Sequence, residues 1–277
     1  MIGAIIGDMV GSPYEGGYKR CVTTIEFPLF TSESRFTDDT VLTCATAQAL
    51  LRPSFLSYKL RFAYEYKDWA ARYPDRGYGS KFKSWIAEKK LVVNNSYANG
   101  CMMRCSPIAM FYDDRETALK RAAQSIAYTH NSPESLRGVQ SIVDAIWMAR
   151  HGAKKDEIKA RVQEYYGHML NLTTHELKAK WSRDIRSNLT AQQALICFME
   201  SNNYESAVRN AVYINGDTDT NAAIAGALAE AFYGANTIPE IMYDEMYKRI
   251  DMSMVKVISD FYTKCRMKLP YMFSGCT

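Results

Sequence analysis

The sequence predicts an all-α protein, read as one domain over residues 1–277. Apolar residues recur at helical spacing along most of the chain, recognisable start and stop signals bracket those stretches, and alternating strand patterns are nearly absent. Only "CVTTIEFPL", residues 21–29, is enriched in β-branched residues, and it reads equally well as an extended loop. No Pro/Gly/Ser linker, low-complexity tract or repeat of 20 to 50 residues divides the chain.

Taken in order, "GAIIGDMVGSPYEGG" predicts a first helix with Gly3, Gly7 and Gly11 on one bare face, able to approach another backbone closely, and stopped at Pro13. After "FTDDT", Val41, Leu42, Ala45, Ala49 and Leu50 fall on one helical face, and "FLSYKLRFAYEYKDWAARYP" is an amphipathic helix ending near Pro74. "DDRETALKRAAQSIAY" is followed by "SPESLRGVQSIVDAIWMARHG", with Ser132 as cap, Pro133 at the first helical position and Gly152 closing the run. Further helices fit "KKDEIKARVQEYYG", "TAQQALICFMES", "YESAVRNAVYI", "IPEIMYDEMYKRI" and "DMSMVKVISDFYTKC". In "INGDTDTNAAIAGALAEAFYG", Ile214 to Gly234, small apolar residues leave almost no polar face, so this helix is expected to be buried, with Thr220 as its start.

With 277 residues and 47% hydrophobic content the chain can bury a sizeable core. Lysine plus arginine outnumber aspartate plus glutamate by 34 to 30, a formal charge of +4 with the basic residues scattered, which implies neither nucleic-acid nor membrane partners. Seven cysteines form no C-x-x-C pair and are odd in number, the pattern of reduced thiols in a cytoplasm-like compartment. The N-terminus carries no secretory pattern, and no apolar run reaches membrane-spanning length.

Two polar clusters carry the chemistry. "GDTDT" places Asp217 and Asp219 two residues apart at the head of the apolar helix, and "FTDDT" places Thr37, Asp38 and Asp39 at the head of another. Asp and Thr are favoured caps, and carboxylates gain from the helix dipole, so two independent N-caps would explain the letters. A plain cap needs only one carboxylate, however, and residues two apart converge only if the turn is irregular. If the fold joins both turns, Thr37, Asp38, Asp39, Asp217, Asp219 and Thr220 share one cleft. Four carboxylates there would repel and push their pKa values up unless cations compensated them. Hard oxygen donors without a histidine or cysteine set suit Mg²⁺, Mn²⁺ or Ca²⁺ rather than zinc. Glu15 lies in a Pro/Gly-rich turn, and "NNSYANGCMMRCSP", Asn94 to Pro107, suits either plain turns or a loop whose amides face an anion such as phosphate, with Tyr97 and Arg104 nearby. His130 falls at a junction between helices.

Together, "GAIIGDMVGSPYE", "FTDDT", "RGYGSKFKSWI", "SYANGCMMRCSP", "YTHNSPESLRG" and "NGDTDTNAAIAGALAEAFYG" resemble, in order and over most of the chain, the ADP-ribosylglycohydrolases. The resemblance implies a compact orthogonal bundle of helices, a centre of two Mg²⁺ ions (Mn²⁺ possible), and removal of ADP-ribose from a modified protein or another ADP-ribosyl conjugate. The family's two aspartate motifs supply metal ligands, here Thr37, Asp38, Asp39, Asp217, Asp219 and Thr220. Glu15 matches a glutamate that approaches the second metal and the scissile bond in some members. Ser96, Tyr97, Asn99 and Gly100 match the loop holding the diphosphate and distal ribose, and His130 matches a ligand-facing histidine. Ala98 departs from the family pattern, standing where related sequences often have glycine, and Cys101-Met102 replaces smaller residues.

The expected reaction is cleavage at ribose C1 through an oxocarbenium-like transition state, with the cations engaging ribose hydroxyls and a carboxylate taking a proton from water. Glu15, Asp38 and Asp217 are the candidates for that base. The competing expectations are a dinuclear-metal nucleotide or phosphoester hydrolase, and a non-catalytic ADP-ribose-binding protein. The "SYANG" loop leans towards serine-type or general bacterial members.

Overall fold

The computed structural model describes residues 1–16, 20–180 and 184–269. Among them lie fourteen α-helices: α1 (Ile2–Gly11), α2 (Asp38–Leu51), α3 (Tyr58–Arg72), α4 (Ser80–Ala87), α5 (Ser106–Phe111), α6 (Arg115–Ile126), α7 (Pro133–Arg150), α8 (Lys155–Tyr166), α9 (Thr174–Ala179), α10 (Ser187–Met199), α11 (Tyr204–Tyr213), α12 (Thr218–Tyr233), α13 (Glu240–Tyr247) and α14 (Met252–Lys264). There are no strands among the described residues, so the all-α expectation holds. "CVTTIEFPL" is irregular chain, and pairing is confined to two isolated bridges, Asn95 with His130 and Ala98 with Arg186.

The boundaries follow from local chemistry. Ser132 accepts from the Ser135 amide ahead of Pro133, Asp114 accepts from the Thr117 amide, and Asp251 accepts from the Ser253 and Met254 amides, so orphan donors at three helix starts are satisfied by side chains. Gly152 (φ 83°) follows α7, and Gly167 (φ 68°) ends α8 in the left-handed region.

The centre is an α1–α12 pair. All ten residues of α1 are buried, as is α12 from Thr218 to Glu230, which explains why neither has a polar face. Gly3, Gly7 and Gly11 face α12: a Cβ at Gly3 would lie 2.5 Å from the Gly226 carbonyl oxygen, and one at Gly7 would collide with the Ala222 carbonyl. Backbone meets backbone, so the bare glycine face is the contact. α11 packs on α12, α2 on α3 and α14, and α10 and α7 close the other side. Four cysteines (Cys44, Cys101, Cys105 and Cys197) are buried and Cys21 and Cys265 partly so; none of these six is in a disulfide, and Cys276 lies outside the described residues. Among the described residues no helix is long and apolar enough to cross a membrane.

Candidate metal and ligand site

The site grows from two helix starts. At α2, Thr37 is the N-cap in extended conformation (φ −110°, ψ −167°), its hydroxyl accepting from the Asp39 amide at 3.2 Å. Its hydroxyl proton goes to Asp8 of α1, at 2.8 Å. Asp39 is 2% exposed, and its Oδ1 has no hydrogen-bond partner. The Asp38 amide donates to the Arg76 carbonyl at 2.7 Å, holding the α2 start against the 76–79 segment.

At α12, the chain arrives through Asn215 (φ 63°) and Gly216 (φ 88°) in the left-handed region, and Asp217 is the N-cap. The helix begins at Thr218, two residues before the expected start at Thr220, because the irregularity precedes Asp217 instead of separating Asp217 from Asp219. A cap residue is not yet helical, so Asp217 and Asp219 escape the roughly 200° divergence of helical positions two apart and turn to a common point. Carboxylate oxygens of Glu15, Asp217 and Asp219 lie within 4.8 Å of one another. Thr218 anchors this turn by donating to the Gly11 carbonyl at 2.9 Å, and the Thr220 amide donates to Asp219 at 2.9 Å.

Both starts open on one cavity of about 390 Å³, lined by Glu15, Asp38, Asp39, Asp217, Asp219 and Thr220, a size common for small-molecule sites. Of the expected metal ligands only Thr37 does not line it. Burial first, and then the neighbouring charges of Asp8 and Asp217, pushes Asp38 up to about 8. Asp39 is raised well above the usual carboxylate range by burial, Asp8 and Asp38, and Asp219 by burial, Asp217 and Asp39. These shifts are what crowded, dehydrated carboxylates undergo when no cation stands among them.

The expected ligand loop forms another part of the same cavity, lined by Ser96, Tyr97, Asn99, Gly100 and His130. It is clamped from behind: the Ser96 carbonyl accepts from Ser132 and Ser135, both at 3.0 Å, while Ser187 donates its hydroxyl to the Tyr97 and Ala98 carbonyls at 2.9 and 2.7 Å. Ala98 sits at φ −73°, ψ 165°, ordinary extended backbone that does not require glycine, and Cys101 and Met102 turn into the core. Tyr97 is half exposed, with the Lys81 ammonium 4.9 Å from its ring centroid. Burial, then the charges of Arg104 and Lys81, holds the His130 imidazole well below its usual pKa and therefore neutral at physiological pH. Asn99 joins the two regions, its amide nitrogen donating to Asp217 at 2.6 Å and to Thr190 at 3.2 Å.

Sequence reasoning missed several groups. Asp8 stands out only as the one charge in an apolar helix. Arg104, flagged merely as nearby, is 1% exposed, stacked 4.0 Å from the Tyr66 ring centroid and bonded to Thr129 at 2.7 Å. Lys81 and Phe82 come from α4, whose eight residues are too few to display a helical period.

Comparison with known proteins agrees with this architecture. Residues 1–268 match the family model for ADP-ribosylglycohydrolase. Human ADP-ribosylhydrolase ARH3 is 27% identical over 317 aligned positions, covering 87% of this chain and 86% of its own. ADP-ribosylarginine hydrolase Tri1 of Pseudomonas putida (strain GB-1) is 32% identical over 148 positions, covering 51% of this chain and 40% of its own. A solved structure described as an ADP-ribosylglycohydrolase-related protein complex shares the fold, with a TM-score of 0.70 at 21% identity over 96% of this chain and 95% of that one. The chain therefore belongs to the ADP-ribosylglycohydrolase family of hydrolases.

Proposed function

We propose that this protein hydrolyses the bond between ribose C1 and a modified target, releasing ADP-ribose, with two Mg²⁺ ions (or Mn²⁺) held by Thr37, Asp38, Asp39, Asp217, Asp219 and Thr220. The carrying observation is one cavity with two kinds of lining: converging carboxylates, and a region of Lys81, Arg104, His130 and the half-exposed Tyr97 ring. A ligand with a sugar, a diphosphate and an aromatic base has a counterpart for each.

The residues fit a divalent cation. Asp39 Oδ1 is buried and unpartnered, and the oxygens of Glu15, Asp217 and Asp219 lie within 4.8 Å. Two oxygens across a Mg²⁺ ion are about 4 Å apart, since each lies roughly 2.1 Å from it, so small closure of these side chains suffices. Such cations, when bound, would orient the ribose hydroxyls and polarise the attacking water, while the surrounding carboxylates would offset the positive charge that develops on the ribose. Glu15 is the proposed base, taking the proton of the attacking water. Asp38 and Asp217, the other candidates, face the same cavity but serve as ligands, and Asn99 keeps the Asp217 carboxylate oriented through its 2.6 Å bond. The 96–100 loop, Tyr97 and His130 bind the nucleotide portion.

The test is turnover of arginine-linked and serine-linked ADP-ribosyl peptides and of O-acetyl-ADP-ribose by the purified protein with Mg²⁺, with product identification. Free ADP-ribose is expected from at least one substrate, and Asp217→Ala and Asp38→Ala should abolish its release. Glu15→Gln should lower kcat by about 100-fold or more, the scale of a lost general base, with metal affinity much less affected. AMP or inorganic phosphate as product would overturn the reading in favour of a phosphoester hydrolase. Calorimetric binding of ADP-ribose with no turnover of any substrate would leave a binding protein, and full activity of Asp217→Ala in chelator would remove the metal centre.

A further inference from the structure

We propose that Asp8 is the positioning residue of the carboxylate centre: by capping α2 from α1, it frees Asp38 and Asp39 to serve as ligands and sets their placement relative to Asp217 and Asp219. This inference rests on the function proposed above and adds a role for a residue outside the six ligands.

A helix start leaves its first amides without intrahelical partners, and acidic residues in the first turn commonly turn back towards them. At α2 another helix does most of this work. Asp8, fully buried, accepts from the Thr37 amide at 2.9 Å and the Thr40 amide at 3.1 Å, and from both threonine hydroxyls. Two consequences follow. The first turn is satisfied without the carboxylate of Asp38 or Asp39, which is why a buried Asp39 oxygen can remain unpartnered. The Thr37 hydroxyl accepts from the Asp39 amide and lies nearer to Asp8, at 2.8 Å, than to Asp39 Oδ2, at 3.4 Å, so its one proton goes to Asp8 and the oxygen retains a lone pair for a cation.

The same helix also gauges the second turn. A Cβ at Gly11 would fall 2.5 Å from Asp219 Cα, and the Gly11 carbonyl accepts from Thr218. Helix α1 thus touches both aspartate turns directly, holding one by a carboxylate and the other by backbone contact. Asp8 does not line the cavity; its influence passes through Thr37, itself one of the proposed ligands, and through Thr40.

Asp8→Asn preserves size but replaces one acceptor oxygen by a donor. The readouts are Mn²⁺ binding by calorimetry on folded protein and the Mg²⁺ concentration that half-activates the enzyme. Loss of an outer hydrogen-bonding partner typically weakens metal affinity by about 10- to 100-fold, and that shift is expected in both readouts, with kcat at saturating Mg²⁺ retained within a few-fold. The structural control is Asp144→Asn, which disturbs a buried carboxylate bound by Arg115, Arg161 and Tyr166 outside the site and should lower stability but leave Mn²⁺ affinity unchanged. If Asp8→Asn does not fold, Thr40→Val removes one of the hydroxyl bonds and should weaken Mn²⁺ binding in the same direction. Unchanged Mn²⁺ affinity in folded Asp8→Asn, or in Thr40→Val where Asp8→Asn fails to fold, overturns the role of Asp8 and leaves the proposed function standing. Absence of Mn²⁺ and Mg²⁺ binding by the unmodified protein overturns both.

Discussion

Gly7→Ala sets intrinsic helix propensity against tertiary packing, with opposite predicted signs. In an isolated helix the substitution stabilises by about 1 kcal/mol. Here the new Cβ would meet the Ala222 carbonyl and lie 2.9 Å from the Ala223 amide nitrogen, where ordinary contact begins at 3.4 Å. The helices must therefore separate by at least 3.4 − 2.9 = 0.5 Å at that nitrogen, and further at the carbonyl. Neither obstacle is a flexible side chain, and α12 is buried on all sides from Thr218 to Glu230, so the strain has no soft outlet. Overpacking of this kind costs about 1–3 kcal/mol, with the upper part of the range expected for backbone against backbone. After subtraction of the propensity gain, net destabilisation of about 2 kcal/mol remains, which for a chain of this size lowers Tm by roughly 3–4 °C. Thermal unfolding followed by circular dichroism measures it, with Gly79→Ala as a control at a position with no atom within 4 Å of the new Cβ. Separation of α1 from α12 also moves Asp8 relative to Asp219, so Mn²⁺ affinity should fall alongside Tm. A Gly7→Ala protein as stable as the unmodified one would refute the claim that this interface is close-packed.

Asn99→Ala removes the 2.6 Å bond to Asp217; metal affinity measured by Mn²⁺ titration should fall by about 10-fold or more, with little change in Tm, and unaltered affinity would show that Asp217 does not depend on Asn99. His168, buried and bonded to Ser141 at 2.8 Å, is held down to about 4 by burial aided by Arg137. Its folded pKa lies below the unfolded value, so between pH 6.5 and 4 the unfolded chain binds more protons and stability declines on acidification, by up to about 3 kcal/mol from this residue. His168→Gln should flatten the Tm-versus-pH curve across that window, and an unchanged slope would assign the acid sensitivity elsewhere.

The helices legible in the sequence are those long enough to repeat: α7 begins and ends as Ser132, Pro133 and Gly152 indicate, and α8 and α14 fall within the stretches assigned to them. Those not assigned, α4, α5 and α9, have six to eight residues, about two turns or fewer, over which a period of 3.6 cannot be read. Asp217 and Asp219 looked like an overbuilt cap, and their two-residue spacing announced an irregular turn. That the irregularity falls at Asn215 and Gly216 was not announced, since backbone conformation there is selected by the packing of the following helix.

The sequence by itself determined the helical class, the bare glycine face of α1, the buried character of α12, and which residues are the candidate oxygen donors, because these depend on residue type and short-range periodicity. Only the tertiary structure decided that Asp38 and Asp39 share a cavity with Asp217 and Asp219, and that Asp8 and Asn99 hold them. Convergence over nearly the whole chain depends on how closely two backbones approach. That distance is set by glycines meeting carbonyls across an interface, a relation between segments that no local pattern contains.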